Sequence, residues 1–252
     1  MAPRRRLDAE LVRRELAASR TVAQSLIEAD RVFVNGAVAA KASRQVSPAD
    51  AVIVDGPPAR IVGRGAEKLD HALDVFDVDV AGCRVLDAGA STGGFTDCLL
   101  QRGAAEVIAV DVGHGQLHER LRADPRVVNI ERQNIRSVTS ELIGGPVDGV
   151  VGDLSFISLR LDIAPVVSVC QAGAFSVLLV KPQFEAGRAE VSRGRGVVTD
   201  PAVHERVREE VATALRDNGC EVIAWTTSPI TGADGNVEFL VHATTPGDGG
   251  DS

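Results

Sequence analysis

From residue 80 onward the chain repeats one device, a short apolar run followed by a stretch with helical spacing. No other feature limits the fold so tightly, because parallel strands need long crossovers and helices supply them. Apolar runs at 84–87, 106–111, 126–130, 147–153, 175–180 and 220–226 read as strands that alternate with helices, and 237–242 reads as one more. The last run follows only a turn-rich segment, Ser228 to Asn236, which has no room for a helix. That strand is therefore expected to lie antiparallel to its neighbour. The expected fold is α/β: a seven-stranded, mostly parallel, doubly wound sheet that binds ligands at the carboxyl ends of its strands. Hydrophobic residues are 44% of the chain but aromatics only 3%, so Val, Leu, Ile and Ala must build its core.

The first 58 residues follow a different pattern. Leu7, Leu11, Val12 and Leu16 recur at helical spacing, with Arg13 and Arg14 on other faces. Ser19 suits the N-cap of a second helix carrying Val22, Leu26 and Ile27. Val32 to Val34, the pair Asn35-Gly36, and Ala37-Val38 then spell a hairpin, since Asn-Gly supplies the positive φ angles of a tight turn. Val52 to Val54 can return as a third strand, and Gly56-Pro57-Pro58 closes the unit.

Charge separates the two parts. Net charge is −8, but residues 1–60 hold ten Lys/Arg against seven Asp/Glu, and the remaining 192 hold seventeen against twenty-eight. Six arginines fall in the first twenty residues, which reads as a basic binding module joined to an acidic domain. The basic start is interrupted by charges where a signal peptide would be apolar, and no run approaches the ~18 residues of a membrane span. Cys83, Cys98, Cys170 and Cys220 are widely spaced, as isolated thiols of a cytoplasmic protein would be. No metal site, membrane or DNA partner is expected.

The glycine-rich turn Asp87-Ala88-Gly89-Ala90-Ser91-Thr92-Gly93-Gly94-Phe95 leads from the first strand into a helix. Its spacing is neither that of a dinucleotide fingerprint nor that of a P-loop. Asp87, at the strand tip, would repel a pyrophosphate and suits a ligand with a positive group, such as the ammonium of a methionine moiety. Asp111, at the end of the second strand, can accept hydrogen bonds from ribose hydroxyls. Acids at both tips point to S-adenosylmethionine rather than a nicotinamide dinucleotide.

Charges also mark later strand ends: Asp153, Lys181, and Glu238 at the start of the last strand. Lys68 opens a helix before the first strand. Each alone reads as a solvated strand-end charge. Together at one ligand edge they could converge, and a lysine desolvated beside another cation has a lowered pKa and can accept a proton.

The motifs DAGASTGGFTD (87–97), RQNIR (132–136), DLSFISL (153–159), LVKPQFE (179–185) and SPITGADGNVEF (228–239) resemble the TlyA family. These are ribose 2′-O-methyltransferases of ribosomal RNA, historically labelled haemolysins, with an FtsJ-like catalytic domain. The N-terminal part is similar to the αL-type RNA-binding module of a small-subunit ribosomal protein and pseudouridine synthases, through Arg6-Leu7-Asp8, Ser19-Arg20, Val34-Asn35-Gly36 and Lys41-Ala42-Ser43. The resemblance implies a Rossmann-like methyltransferase domain over 64–243, a small α+β RNA-binding domain over 1–58, a linker at 59–63 and a disordered tail at 244–252. It implies a catalytic tetrad of Lys68, Asp153, Lys181 and Glu238, with Lys181 as base for the ribose hydroxyl. Donor contacts carried over are Asp87, Gly89, Ser91, Gly93, Phe95, Asp111, Asn134 and Asp153, with Asn134 reading adenine. RNA contacts are expected at Arg6, Arg20, Lys41, Arg60 and Arg64, and at Arg188, Arg193 and Arg195 in the loop after LVKPQFE. The partners implied are ribosomal RNA and the ribosomal subunits, with cytidines as targets.

Some positions depart from the family pattern. His114 stands where tyrosine is usual and reads as a polar ring at the pocket rim; Gly63 replaces a serine, and the linker lacks a tryptophan found in some relatives. Three rival readings stay open. A small-molecule methyltransferase explains the glycine turn but leaves the basic module unused. A membrane-active haemolysin lacks an apolar segment, and a non-catalytic RNA-binding protein would be indifferent to loss of Lys181.

Overall fold

The computed structural model describes residues 4–246 except 15, 18–19, 29, 56–64, 156, 188–189, 192–193, 195 and 233–234. The chain divides into two units, Met1–Gly63 and Arg64–Ser252, each with its own hydrophobic core.

The first unit runs β1 (Arg5–Arg6), α1 (Leu7–Arg13), α2 (Arg20–Glu28), β2 (Val32–Val34), β3 (Ala37–Val38), β4 (Gln45–Val46) and β5 (Val52–Val54). Strands β3, β2 and β5 form an antiparallel sheet in that order. Asn35 and Gly36 take φ of 54° and 83°, the left-handed pair that a two-residue hairpin requires. Leu7 and Leu11 of α1 and Leu26 and Ile27 of α2 bury against Val32, Val34 and Val46. The expected cap Ser19 lies outside the described residues. One pairing, β1 with β4, has no counterpart in the sequence reading, because two arginines carry no apolar alternation.

Ionic contacts brace this unit. Asp8 is fully buried, and its carboxylate accepts from Arg6 at 2.9 Å, Arg20 at 2.9 Å and Gln24 at 3.1 Å. The Arg6 bond, with those from Arg20 and Gln24, outweighs burial and holds Asp8 well below the usual carboxylate range. Glu10 is buried in the same way between Arg13 and Arg14. Arg14 also donates to the carbonyls of Asp50 at 2.8 Å and Ser47 at 3.1 Å, so it fastens the helix to the turn before β5.

The second unit runs α3 (Gly65–Phe76), β6 (Arg84–Ala88), α4 (Gly94–Gln101), β7 (Glu106–Val110), α5 (Glu119–Arg122), β8 (Val127–Ile130), α6 (Ser140–Ile143), β9 (Val147–Gly152), α7 (Ile163–Val167), β10 (Cys170–Val180), α8 (Pro182–Glu185), α9 (Pro201–Asp217), β11 (Glu221–Thr227) and β12 (Phe239–Thr244). Its seven strands stand in the order β11-β12-β10-β9-β6-β7-β8. β12 is antiparallel to β10 and to β11, between which it inserts, and the pairs of β10 with β9, β9 with β6, β6 with β7 and β7 with β8 are parallel. Helix α9 shows why these elements form. Asp200 caps it by accepting from the Ala202 amide at 2.9 Å, Pro201 opens the first turn, and Val203, Val207, Val211 and Leu215 place a buried stripe toward the sheet.

The strands of the sheet fall within two residues of their expected bounds except at the start of β10, and the last is Phe239–Thr244 with Glu238 just before it. The tail differs as well. β10 begins at Cys170 rather than 175, because an irregularity between Cys170 and Phe175 lets the polar start of the strand stay paired with β9. The tail expected from residue 244 is ordered through Pro246. Thr244 ends β12, and the buried Thr245 hydroxyl accepts from the Ala174 amide at 2.9 Å and donates to the Gln171 carbonyl at 2.8 Å. The Pro246 carbonyl accepts from Gly173 at 3.2 Å. Residues 247–252 lie outside the described residues.

Candidate active site

Sheet register brings three of the four singled-out charges to one edge. Val180 of β10 pairs with Phe239 of β12, so Lys181 and Glu238 are the next residues beyond one rung of the ladder. Asp153 follows Gly152, which pairs with Leu178 on the other side of β10. Lys68, one turn into α3, reaches the same edge and donates to Glu238 Oε2 at 2.5 Å. Lys181 pairs with Asp153 Oδ1 and donates to the Ser155 hydroxyl at 2.6 Å. The four residues thus form two ion pairs, and each lysine is 8% exposed.

Buried ion pairs are poor stabilisers, since the desolvation penalty consumes most of the Coulombic gain. Pro182 begins α8 directly after Lys181, which turns the chain away from the sheet and leaves the lysine at the tip. Glu185, at the end of that short helix, is buried and accepts from Ser158 Oγ at 2.5 Å and from the Leu159 amide at 2.6 Å. It pins the segment that carries Asp153 and Ser155, a role that the sequence reading did not assign.

Beside these pairs lies a cavity of about 360 Å³ whose wall includes Gly89, Ser91, Asp111, Asn134 and Asp153. Gly89 has φ of 83°, and a Cβ there would stand 2.9 Å from the Asp153 carbonyl oxygen, so only glycine lets the two segments meet. The Asp111 carboxylate accepts from the Ser91 amide at 2.8 Å and the Gly113 amide at 2.6 Å, which orients it toward the turn. Asn134 Oδ1 accepts from the Arg136 amide at 3.0 Å and caps a single helical turn.

Asp87, Gly93 and Phe95 are not on the cavity wall. Gly93 has φ of 99°, and a Cβ there would lie 2.2 Å from Leu121 Cδ1, so its role is to let α4 pack against the segment around α5. Phe95 is buried with its ring beside Gly65. Asp87 lies beneath the turn, fully buried, accepting from the Thr96 hydroxyl at 2.6 Å. Burial, aided by the charge of Asp153 and opposed by the Thr96 bond, pushes its carboxyl up to about 7. A folded-state value above the ordinary one means that stability is fullest at low pH and is lost as pH rises through about 7. The stability advantage of Asp87→Asn over the unsubstituted protein should therefore grow by about 3 kcal/mol between pH 5 and pH 9. Chemical denaturation at the two pH values measures it, and a pH-independent difference refutes the assignment.

The wall carries other residues that the sequence reading missed: Val112, Gln116, Leu154, Ile157 and Asp162. Val112 follows Asp111 and is 70% exposed, an apolar side chain kept at the rim. Three carboxylates, Asp111, Asp153 and Asp162, face the cavity, and among the described residues no lysine or arginine lines it. That set of acceptors repels a pyrophosphate and suits a cationic ligand with hydroxyls and amines to donate. S-adenosylmethionine fits this description, and the volume lies within the range of small-molecule sites. His114 is exposed and is not among the residues lining the cavity; its Nδ1 lies 2.6 Å from Glu131 Oε2.

In the first unit, Arg6 and Arg20 share Asp8 yet remain solvent-facing, and Lys41 is exposed. Arg60, Arg64, Arg188, Arg193 and Arg195 lie outside the described residues, as does the linker with Gly63. The four cysteines are free thiols.

Residues 61–245 match the FtsJ-like methyltransferase family, and residues 5–52 match the S4 domain. The chain is 50% identical over 249 residues to the 16S/23S rRNA (cytidine-2′-O)-methyltransferase TlyA of Mycobacterium tuberculosis, covering 98% of this chain and 92% of that one. It is 29% identical over 248 residues to the 23S rRNA (cytidine-2′-O)-methyltransferase TlyA of Campylobacter jejuni, covering 92% and 96%. A solved structure from Streptococcus thermophilus that carries a hemolysin name superposes with a TM-score of 0.73 at 37% identity, covering 100% of this chain and 94% of that one.

Proposed function

The chain belongs to the TlyA family, FtsJ-like methyltransferases with an N-terminal S4 domain, and from that premise we propose that it methylates ribose 2′-hydroxyls of cytidines in ribosomal RNA with S-adenosylmethionine as donor. The observation that carries this reading is Lys181 held between Asp153 and Ser155 at the edge of an acid-lined cavity.

When bound, S-adenosylmethionine supplies an electrophilic methyl group on a sulfonium. Gly89, Ser91, Asp111, Asn134 and Asp153 would hold it. Lys181 would first release a proton to solvent, and its Nζ then takes the proton of the 2′-hydroxyl as that oxygen gains the methyl group. Asp153 and Ser155 aim Lys181. The buried Lys68–Glu238 pair, which joins α3 to the residue before β12, fixes the other side of the approach and keeps the site's charge balanced. Positioning of two reactants against one base supplies most of the rate. Asp87, Gly93 and Phe95 act from beneath by shaping the glycine turn.

The domain boundaries that go with this reading are an RNA-binding domain at 1–58, a linker at 59–63 and a catalytic domain that starts at 64 and, instead of ending at 243, takes in β12 and the packed Thr245 and Pro246. RNA would be gripped by Arg6, Arg20, Lys41, Arg60 and Arg64, and by Arg188, Arg193 and Arg195, which follow LVKPQFE in the sequence. With so few aromatics, that grip depends on phosphates and on the shape of structured RNA. Both ribosomal subunits are the proposed substrates, since the 50%-identical relative is named for 16S and 23S rRNA. The reaction would then take place in the cytoplasm, among ribosomes. A small-molecule methyltransferase would leave the S4 domain unemployed, and among the described residues no helix is long and apolar enough to cross a membrane.

Mass-spectrometric mapping of 2′-O-methyl groups in rRNA from cells with and without this protein tests the proposal. One or more cytidine ribose methyls should vanish from both subunits in its absence, and identical maps would overturn it.

A further inference from the structure

We infer that Asp162 reads the exocyclic amine of the donor's adenine, an inference that rests on the donor proposed above. Asp162 sits between a helical turn at Leu159–Leu161 and the start of α7, with its backbone held on both sides by bonds to Leu159 and Val166. It is 1% exposed and lines the cavity beside Asn134, Ile135, Leu154 and Ile157. Its two oxygens are unequally used. Oδ1 accepts from Arg136 Nε at 2.8 Å, whereas Oδ2 is buried without a hydrogen-bond partner among the described residues.

A buried carboxylate oxygen left unpaired is costly, so an unpaired one on a cavity wall indicates that a ligand brings the missing donor. The neighbouring Asn134 sharpens which ligand edge this is. Its side-chain oxygen already accepts from the Arg136 amide, which turns the side chain so that the uncommitted group is its NH₂, a donor. Asp162 and Asn134 therefore present an acceptor beside a donor, and Ile135, Leu154 and Ile157 supply apolar wall around them. The adenine edge is the complement: N6 donates and the adjacent N1 accepts. Arg136 ties the two together, since its amide fixes Asn134 and its guanidinium fixes Asp162.

Hypoxanthine reverses this edge, with an accepting oxygen at position 6 and a donating N1–H. Calorimetric titration of the full chain with S-adenosylhomocysteine and with S-inosylhomocysteine is therefore the test. The unsubstituted protein should prefer the adenosyl compound by roughly tenfold to a hundredfold, the worth of one or two hydrogen bonds. In Asp162→Asn, an amide can donate to the position-6 oxygen, and the preference should shrink by about tenfold or reverse. Asp162→Ala is the second variant; it removes the acceptor without offering a donor, and the preference should shrink without reversing. Each preference is a ratio within one protein, so a general loss of stability cancels. Equal affinity of the unsubstituted protein for both compounds, or an unchanged preference in the variants, overturns the inference while leaving the donor assignment standing. Failure of the unsubstituted protein to bind either compound overturns both.

Discussion

With Lys181→Arg, methyl transfer to ribosomal substrate should fall by roughly 10²- to 10⁴-fold, the range expected when a general base is lost, with donor affinity of the same order as before. Arginine keeps the charge that faces Asp153 and can bond both Asp153 and Ser155, so the fold and the cavity wall are preserved. It cannot give up its proton and so cannot accept another. A purely electrostatic role for Lys181 would survive the exchange; a base would not. Lys181→Ala should show the same loss of transfer, with a lower melting temperature because Asp153 is left without its ion-pair partner. Single-turnover rates at saturating donor, beside calorimetric donor affinities, separate the two effects. Retention of transfer within tenfold in Lys181→Arg would remove Lys181 from the role of base.

How far the site was legible depended on the range of the interactions behind it. The Asn35-Gly36 hairpin and the stripe on α9 are local, and turn chemistry and periodicity reveal them. Strand ends reveal Asp153, Lys181 and Glu238 as a set, because the edge of a parallel sheet collects them. Strand order is not encoded so directly: the insertion of β12 between β10 and β11, which sets Glu238 beside Lys181, follows from pairing across the sheet. Asp8 and Glu10 look like solvated helix charges, yet both are buried, and Asp8 depends on Arg20 and Gln24 from the next helix. Asp162 looks like an ordinary residue before a helix until Arg136 is seen to hold it. Phe95 carried a donor-binding expectation from the family motif, but the turn directs its ring under α3 instead.

Removal of residues 1–63 should cost at least roughly a hundredfold in activity on ribosomal substrate at physiological salt, while donor affinity is unchanged. The two halves of this expectation come from different observations. Among the described residues the cavity wall is drawn from the stretch between Gly89 and Asp162. The two units have separate cores, so the second has what it needs to fold without the first. The charge balance, however, leaves residues 61–252 with seventeen Lys/Arg against twenty-eight Asp/Glu, a net charge that repels RNA. The function proposed above assigns that attraction to the first unit and to Arg188, Arg193 and Arg195, which are near one another in sequence. Full-length protein should show a KM for ribosomal substrate that rises steeply with salt, and the shortened chain a weaker dependence. Lys41→Ala probes the same surface without deletion. Lys41 is exposed, and losing one phosphate contact should lower the slope of log affinity against log salt by about one without touching kcat. Undiminished activity of the shortened chain on ribosomal substrate would remove the first unit from substrate recognition and return the small-molecule reading to contention.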